Sequence, residues 1–235
     1  MFSFSRSRVQ PAVGGKITGG DGGNIILDAG NNIQIDGEDR GGTPETIASY
    51  SVNAGNQLSN ETFTGGNIFF TANNGDITIK SDVFQADPNL IIRALDSTTR
   101  SNIPNIRGNS GIIQFDAPQG DIDINFDKST IHAESSVPNN DASLRKLDFN
   151  AGGDININSK LDSRNVSDSG NDGGIRLGAG ENIQITEVDT RGADFDLSSG
   201  GDTQINFIDA REGNVSLNSG GNIQISAINA ENNDN

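Results

Sequence analysis

The chain has 235 residues and a formal net charge of −16, from 32 acidic and 16 basic side chains. This acidic balance argues against nucleic acid or an anionic membrane as a partner, since both require a basic surface. The chain has no cysteine, which excludes disulfide bonds and thiol chemistry. It has no run of 18 apolar residues, so no membrane span is predicted.

One pattern occurs seven times along the chain: a short apolar strand, a Gly-rich turn and a second apolar strand. The copies occupy residues 24–35, 67–79, 112–124, 146–157, 174–185, 194–205 and 214–225. Apolar and polar residues alternate with period two in each copy, which predicts half-buried β-strands. A third short strand follows at residues 84–87, 131–134, 161–164, 188–191, 208–211 and 228–231. The last three copies begin at residues 174, 194 and 214, a period of 20 residues.

This repeat predicts an all-β fold, a right-handed parallel β-helix (solenoid) of about seven three-strand coils with loop insertions. Equivalent strands of successive coils would pair in parallel about 4.8 Å apart, giving a rod on the order of 35 Å long. A propeller blade would need about twice the period, and a leucine-rich repeat would need a fixed buried Asn or Cys. Residues 22–231 are predicted to be a single repeat domain, preceded by an irregular segment, 1–21, and followed by a tail, 232–235.

The spacing between copies falls from more than 40 residues to 20 along the chain. The surplus forms predicted insertions at 37–66, 88–111 and 135–145. Loops that project from a rigid scaffold commonly carry binding residues, so the first two insertions are the predicted contact surface. The alternative is that they are tolerated surface decoration. The binding-loop candidates are Tyr50 in the first insertion and Arg93, Arg100 and Arg107 in the second.

The residue that opens the second strand of each copy is always Asn or Asp. In chain order these residues are Asn32, Asp76, Asp121, Asp154, Asn182, Asp202 and Asn222. Stacked about 4.8 Å apart, Asp76, Asp121 and Asp154 would repel one another unless a cation or water screened them. Carboxylates are Ca²⁺ ligands, so these three are a candidate metal site, and no other cofactor is predicted. The alternative is that Asp and Asn at this position cap the turn through its backbone.

The third strands contain two further columns of charge. One consists of Asp162, Asp189 and Asp209, the other of Arg164, Arg191 and Arg211. Both are predicted on the outward face, where ion pairs between coils are each worth about 0–1 kcal/mol.

His132 is the only histidine, and it falls in the same column as Asp162. The two side chains would be able to act as an acid–base pair, and the alternative is that both are simply solvated. The sequence contains no Ser–His–Asp order, metal-binding His pair, phosphate-binding loop or G-x-S-x-G elbow. We therefore predict no catalytic residues and no enzymatic activity.

The copies AGGDININ, SGGDTQINFIDAREGNVSL and SGGNIQISAINAEN share the phrase GG[DN]IxI, followed by a short third strand and then G-N-[IV]-x-L. This pattern resembles the repeat region of filamentous-haemagglutinin-like proteins, especially those of the cyanobacterial type. The resemblance covers most of residues 22–231 and is strongest over 150–231. It implies a secreted β-helical exoprotein of the two-partner-secretion kind, exported across the outer membrane by a transporter barrel and used in cell adhesion or aggregation.

The expected function is that of a non-enzymatic, extracellular or cell-surface adhesin-like scaffold that binds a host-cell or matrix glycan or protein. One alternative is a polysaccharide-active β-helix enzyme, in which Asp121 or Arg164 would be essential. The other is a purely structural spacer. Residues 1–15 contain Arg6 and Arg8 without an apolar stretch behind them, so no secretory signal is predicted there. Export would therefore make the chain a piece of a larger haemagglutinin-type exoprotein.

Overall fold

The computed structural model describes residues 24–37, 45–50, 63–64, 67–81, 90–95, 108–109, 112–133, 147–163, 174–190, 192–211 and 213–230. Within these ranges the chain forms β-strands and no helix, and so no helix that could span a membrane. The strands are β1 (Ile25–Ala29), β2 (Ile33–Gly37), β3 (Glu45–Tyr50), β4 (Phe63–Thr64), β5 (Ile68–Ala72), β6 (Ile77–Ser81), β7 (Leu90–Leu95), β8 (Gly108–Asn109), β9 (Ile113–Ala117), β10 (Ile122–His132), β11 (Leu147–Ala151), β12 (Ile155–Asp162), β13 (Ile175–Ala179), β14 (Ile183–Asp189), β15 (Phe195–Ser199), β16 (Thr203–Asp209), β17 (Val215–Ser219) and β18 (Ile223–Asn229).

Each copy of the repeat contributes its first strand to one sheet and its second strand to another. The first strands pair in the order β1-β5-β9-β11-β13-β15-β17, and the second strands in the order β2-β6-β10-β12-β14-β16-β18. The pairings within both sheets are parallel. Because every strand pairs with its equivalent in the next copy, the predicted all-β parallel solenoid is confirmed. The right-handed sense stays a prediction.

The third strands belong to the same sheet as the second strands. In β12 a single strand contains both, with a shift in register between Ile157 and Lys160. The register aligns one apolar residue from each third strand: Ile47, Ile92, Ile131, Leu161, Val188, Ile208 and Ile228. The strands β3 and β7 are therefore the third strands of the first two coils.

Two of the predicted insertions consequently contain strands that pair with the solenoid. β3 lies within 37–66 and β7 within 88–111, and β7 pairs with both β3 and β10. The short pair β4–β8 also lies within these segments. The repeat spacing had placed the third strand of the second copy at 84–87, which is outside the described residues. The apolar run of β7 occupies that place in the register instead.

The core consists of stacked apolar side chains, one layer per coil. β5 and β9 alternate buried and half-buried residues, as a strand covered on one face requires. Phe70, Phe115 and Phe149 are fully buried, and their rings stack face to face with centroids 4.7 and 4.9 Å apart. This distance equals the spacing of paired strands, about 4.8 Å, so the parallel register itself sets the stack.

A buried polar pair replaces apolar residues in one coil near the C-terminal end of the described chain. Ser199 and Thr203 are buried, and their hydroxyl oxygens lie 2.8 Å apart in a hydrogen bond. The equivalent residues of the coil before are Ala179 and Ile183. One hydroxyl donates to the other, and the carbonyl oxygen of Gly201 lies 3.1 Å from Ser199 Oγ and accepts its hydrogen bond, so the polar pair replaces an apolar pair with its donors satisfied.

The turns between first and second strands leave no room for side chains at one glycine position. Gly200 donates its N–H to the carbonyl of Ala179 at 3.0 Å, and Gly220 repeats this bond to Ser199 at 2.9 Å. A Cβ on Gly200 would lie 2.0 Å from the carbonyl oxygen of Gly180 in the preceding coil. Gly is therefore required here by the close approach of two backbones.

Candidate functional site

The Asn and Asp residues that open the second strands form a hydrogen-bonded ladder along the rod. Oδ1 of Asp76 accepts the backbone N–H of Asp121 at 3.0 Å, and Oδ1 of Asp121 accepts that of Asp154 at 2.8 Å. The bond repeats at every step from Asn32 to Asn222, with lengths of 2.7–3.1 Å. The side chains do cap backbone, as the alternative held, but the amide they bind belongs to the following coil.

This ladder bears on the candidate metal site at Asp76, Asp121 and Asp154. One carboxylate oxygen of each accepts a backbone amide, so that oxygen already has a structural role. Among the described residues no group of three His, Cys, Asp or Glu side chains has a geometry that could hold a metal ion. A Ca²⁺ site at these three residues stays a prediction.

The aspartates of the third strands are buried, so their predicted place on the outward face is wrong. Asp162 and Asp189 are 2% exposed and Asp209 is 9% exposed. Basic side chains lie against two of these carboxylates. Lys160 Nζ lies 2.8 Å from Asp189 Oδ2, and Arg211 donates from Nε and Nη2 to both oxygens of Asp209 at 2.9 Å.

The ion pairs also differ from the predicted Asp–Arg pairs between successive coils. Lys160 in β12 reaches the next coil and contacts both Asp189 and Glu187 in β14, with Nζ 2.8 Å from each. Arg211 instead pairs within its own coil. Arg164 and Arg191 lie outside the described residues. The ion pair between the coils of β12 and β14 is therefore made by Lys160, two residues before Asp162.

Partial burial of Lys160 lowers the pKa of its ammonium group, but hydrogen bonds to Asp189 and Glu187 and the charges of both outweigh that effect. The net result is a pKa raised above the ordinary 10.5. A raised folded-state pKa stabilises the fold at pH values below the unfolded-state pKa, and the contribution is lost as pH rises through the folded-state value. The relevant window is therefore alkaline.

We expect Lys160→Met to lower the stability by about 1 kcal/mol at neutral pH, the scale of a partly exposed ion pair. The wild type should lose this advantage over the variant as the pH rises above 10.5 and through the raised pKa of Lys160, where the ammonium deprotonates. Urea denaturation at a series of pH values measures the difference. Lys160→Arg is the matched control, because the guanidinium keeps its charge throughout this range. A difference between wild type and Lys160→Met that does not change with pH would contradict the assignment.

The register confirms that His132 and Asp162 are neighbours in one column, since β10 and β12 pair them directly. The side chain of His132 is outside the described part of the structure, and Asp162 is buried. Acid–base chemistry at this pair therefore remains untested, as does the predicted absence of catalysis.

Two of the four binding-loop candidates, Tyr50 and Arg93, lie in described strands. Tyr50 ends β3 and is paired with Leu95, while Arg93 lies in β7 and is paired with Ala48 and His132. These two residues belong to sheet strands rather than loops. Arg100 and Arg107 lie outside the described residues. A binding role for the four candidates stays a prediction.

A concavity lined by polar side chains lies elsewhere, on the outer face of the seven-stranded sheet. Two polar columns cross β9, β11, β13, β15 and β17. The first consists of Gln114, Asp148, Arg176, Asp196 and Ser216, and the second of Asp116, Asn150, Gly178, Ser198 and Asn218. These ten residues line an open depression of about 600 Å³, which we call the polar groove.

A charge pair fixes one side of the polar groove. Arg176 donates from Nε to Asp148 Oδ1 at 2.9 Å and from Nη2 to the other carboxylate oxygen, in a bidentate arrangement across two coils. The hydrogen bond and the negative charge of Asp148 raise the pKa of Arg176, so its charge is permanent. Asp148 is largely shielded, whereas the side chain of Arg176 is 57% exposed. The guanidinium is thus held in place yet accessible.

A missing side chain opens the middle of the polar groove. Gly178 is the only residue in its column without a side chain, and a Cβ built there would meet nothing closer than Asn150 Oδ1 at 3.7 Å. Below it, Asn150 Nδ2 donates to Asp116 Oδ1 at 2.7 Å. Sequence reasoning missed this site because it considered the turn and third-strand columns only. A lone Gly within a strand pattern was the available signal.

A second, smaller depression of about 370 Å³ lies on the outer face of the other sheet. Its side chains bond to one another along a column. Asn158 Nδ2 donates to Asn125 Oδ1 at 3.1 Å, and Thr186 Oγ1 donates to Asn158 Oδ1 at 3.0 Å. Because its polar groups satisfy each other, this surface offers fewer groups to a ligand than the polar groove does.

Compared with known proteins, the chain matches no protein-family model, no curated protein and no solved structure.

Proposed function

We propose that the chain is a non-enzymatic, secreted or cell-surface adhesin-like scaffold. The observation that carries this proposal is the polar groove, which is open and crosses five successive coils instead of enclosing a small cavity. An open strip of regularly spaced polar groups suits an extended partner on another surface better than a small substrate that must be enclosed.

The stacked coils supply the rigidity that such a role needs. Each coil is held to the next by two parallel sheets and by the Asn and Asp ladder, and the coils of β12 and β14 are also joined by the Lys160 bridge. A rigid array presents its side chains at fixed spacing and loses little conformational freedom when a partner binds. The acidic surface adds solubility and opposes association between copies.

The resemblance to the repeats of filamentous-haemagglutinin-like exoproteins supports the same role. It adds three further proposals: an extracellular or cell-surface location, export by an outer-membrane transporter barrel, and a host-cell or matrix glycan or protein as partner. The fold alone does not assign any of these, because parallel solenoids serve many functions.

Adhesion by the purified chain tests the proposed function. Latex beads coated with the folded protein should adhere to epithelial monolayers or to surfaces coated with extracellular matrix, more strongly than beads coated with an unrelated protein of equal net charge. Heating the coated beads above the unfolding midpoint should abolish the difference. Equal adhesion of both kinds of bead would overturn the adhesin proposal and favour a structural spacer. Turnover of an acidic polysaccharide by the protein would overturn its non-enzymatic part.

A further inference from the structure

We propose that the polar groove binds a neutral, hydroxyl-rich glycan chain that lies across strands β9 to β17, and that Gly178 provides the opening for it. This inference rests on the proposed adhesive function and names the site and the ligand class. It moves the contact surface from the predicted insertions to the outer face of the seven-stranded sheet.

The shape of the polar groove fits a chain better than a compact ligand. Five paired strands about 4.8 Å apart place its terminal strands, β9 and β17, roughly 19 Å apart. At the central strand, β13, Gly178 leaves the second column open, with Asn150 on one side and Ser198 on the other. Gly inside a strand often marks a place where a ligand comes close to the backbone. At Gly178 the polar groove is therefore lined by strand backbone and not by a side chain.

The hydrogen-bonding groups of the groove match hydroxyl groups. The first column supplies carboxylate acceptors at Asp148 and Asp196 and guanidinium donors at Arg176, and the second supplies amides at Asn150 and Asn218. A hydroxyl group both donates and accepts, so it can bond to each of these partners. Arg176 has five N–H groups, of which two are directed at Asp148, and its side chain is more than half exposed.

The charge of the groove selects among glycans. It contains three carboxylates, on Asp116, Asp148 and Asp196, against the one guanidinium of Arg176. This excess of negative charge opposes uronic acids and sulfated sugars. A basic peptide would be attracted, but Asp148 and Asp116 already accept hydrogen bonds from Arg176 and Asn150, and most of the other lining side chains are uncharged amides and hydroxyls. A neutral glycan is the ligand that uses these groups without displacing the internal bonds.

Filling the opening tests the proposal without breaking the fold. In Gly178→Val the new side chain enters open space and replaces Gly by a good strand former, so the thermal unfolding midpoint should stay equal or rise. The same side chain should weaken glycan binding about tenfold or more. Asn206→Val is the matched control, because Asn206 is exposed in β16 of the other sheet and lines neither depression.

The probes are hexasaccharides of glucose, galactose and mannose, with hexagalacturonate as the anionic counterpart and a Lys-rich peptide as the cationic one. Binding is followed by amide chemical shifts of Gly178 and Ser198 and by calorimetry. The expected result is that at least one neutral hexasaccharide shifts these amides in the wild type and in Asn206→Val but not in Gly178→Val. Binding of no neutral probe, or stronger binding of the galacturonate or the peptide, would overturn the glycan assignment.

The same variant separates this inference from the proposed function. If beads coated with Gly178→Val adhere as well as wild-type beads, the groove is not the contact surface, while the adhesin role stands. If wild-type beads do not adhere, the adhesin role falls, and the binding of a neutral hexasaccharide is judged by the solution measurements alone.

Discussion

Phe115→Ala is expected to destabilise the solenoid by about 3–5 kcal/mol, the usual cost of deleting a fully buried aromatic ring. The ring is 0% exposed and stacks on Phe70 at 4.7 Å and on Phe149 at 4.9 Å. The substitution therefore removes two ring contacts and leaves a cavity in the middle of the stack. Each coil is stabilised by its neighbours only, so the substitution weakens the contacts between the coil of Phe115 and the coils on either side of it. Urea denaturation followed by far-ultraviolet circular dichroism measures the change.

Phe69→Ala is the matched control for this prediction. Phe69 lies in β5 beside Phe70 but on the outer face of the sheet, where it is only half-buried. Its truncation should cost about 1 kcal/mol or less. A second expected sign of the broken stack is loss of a single cooperative transition, with the two ends of the rod unfolding separately. Equal destabilisation by the two substitutions would contradict the prediction, because neither the full burial of Phe115 nor its ring stacking would then have a measurable effect.

Gly200→Ala is expected to destabilise the protein by about 3 kcal/mol, at the upper end of overpacking costs. Its Cβ would lie 2.0 Å from the carbonyl oxygen of Gly180 and 2.9 Å from the carbonyl carbon. Backbone atoms of a paired coil cannot rotate away as a side chain can, so the turn must shift. That shift would strain the hydrogen bonds from Gly200 to Ala179 and from Gly220 to Ser199. Urea denaturation and amide hydrogen exchange at these two glycines report the loss.

Gly178→Ala is the control, because it makes the same chemical change two residues before the same turn position of the preceding coil. Its Cβ would meet nothing within 3.4 Å, and removal of Gly from a strand favours the folded state by about 0.5–1 kcal/mol. We therefore expect opposite signs for the two Gly→Ala variants. Stabilisation by both variants would mean that backbone entropy, and not the close approach of coils, decides the effect at Gly200. Destabilisation by both would contradict the gain expected at Gly178.

The fold was predictable because a solenoid repeats its signals. Ile77, Ile122 and Ile155 occupy equivalent places in three copies, and the structure pairs them directly. Period-two alternation and the Asn or Asp at the turn identified the first and second strands in each copy. The third strand of the second coil was missed because β7 follows a long segment, and spacing alone favoured an earlier place for it. Register between distant segments depends on pairing energy, which a local pattern does not contain.

The chemistry was less predictable than the fold. Asp189 follows the buried Val188 in β14, so alternation placed it outside, yet it is 2% exposed. Its burial depends on Lys160 from the preceding coil, beyond a break in register that the repeat does not reveal. The groove depends on Arg176 and Gly178 from one copy and on Asp148 from the copy before it, and Arg and Gly occur at those two positions in no other copy that lines the groove. An analysis that looks for positions shared by all copies does not identify residues that differ between copies.

The ladder from Asn32 to Asn222 has a consequence for how this chain can change in length. The side chain of each residue accepts a hydrogen bond from the coil ahead, and its backbone N–H donates one to the coil behind, so every junction between coils uses a backbone N and an Oδ1. Asn and Asp both carry Oδ1, and either residue completes the bond. Recombination between the 20-residue copies at the C-terminal end would therefore add or remove an entire coil while leaving an intact junction. Rods of different length, in steps of about 4.8 Å, are thus accessible from one gene without any new contact.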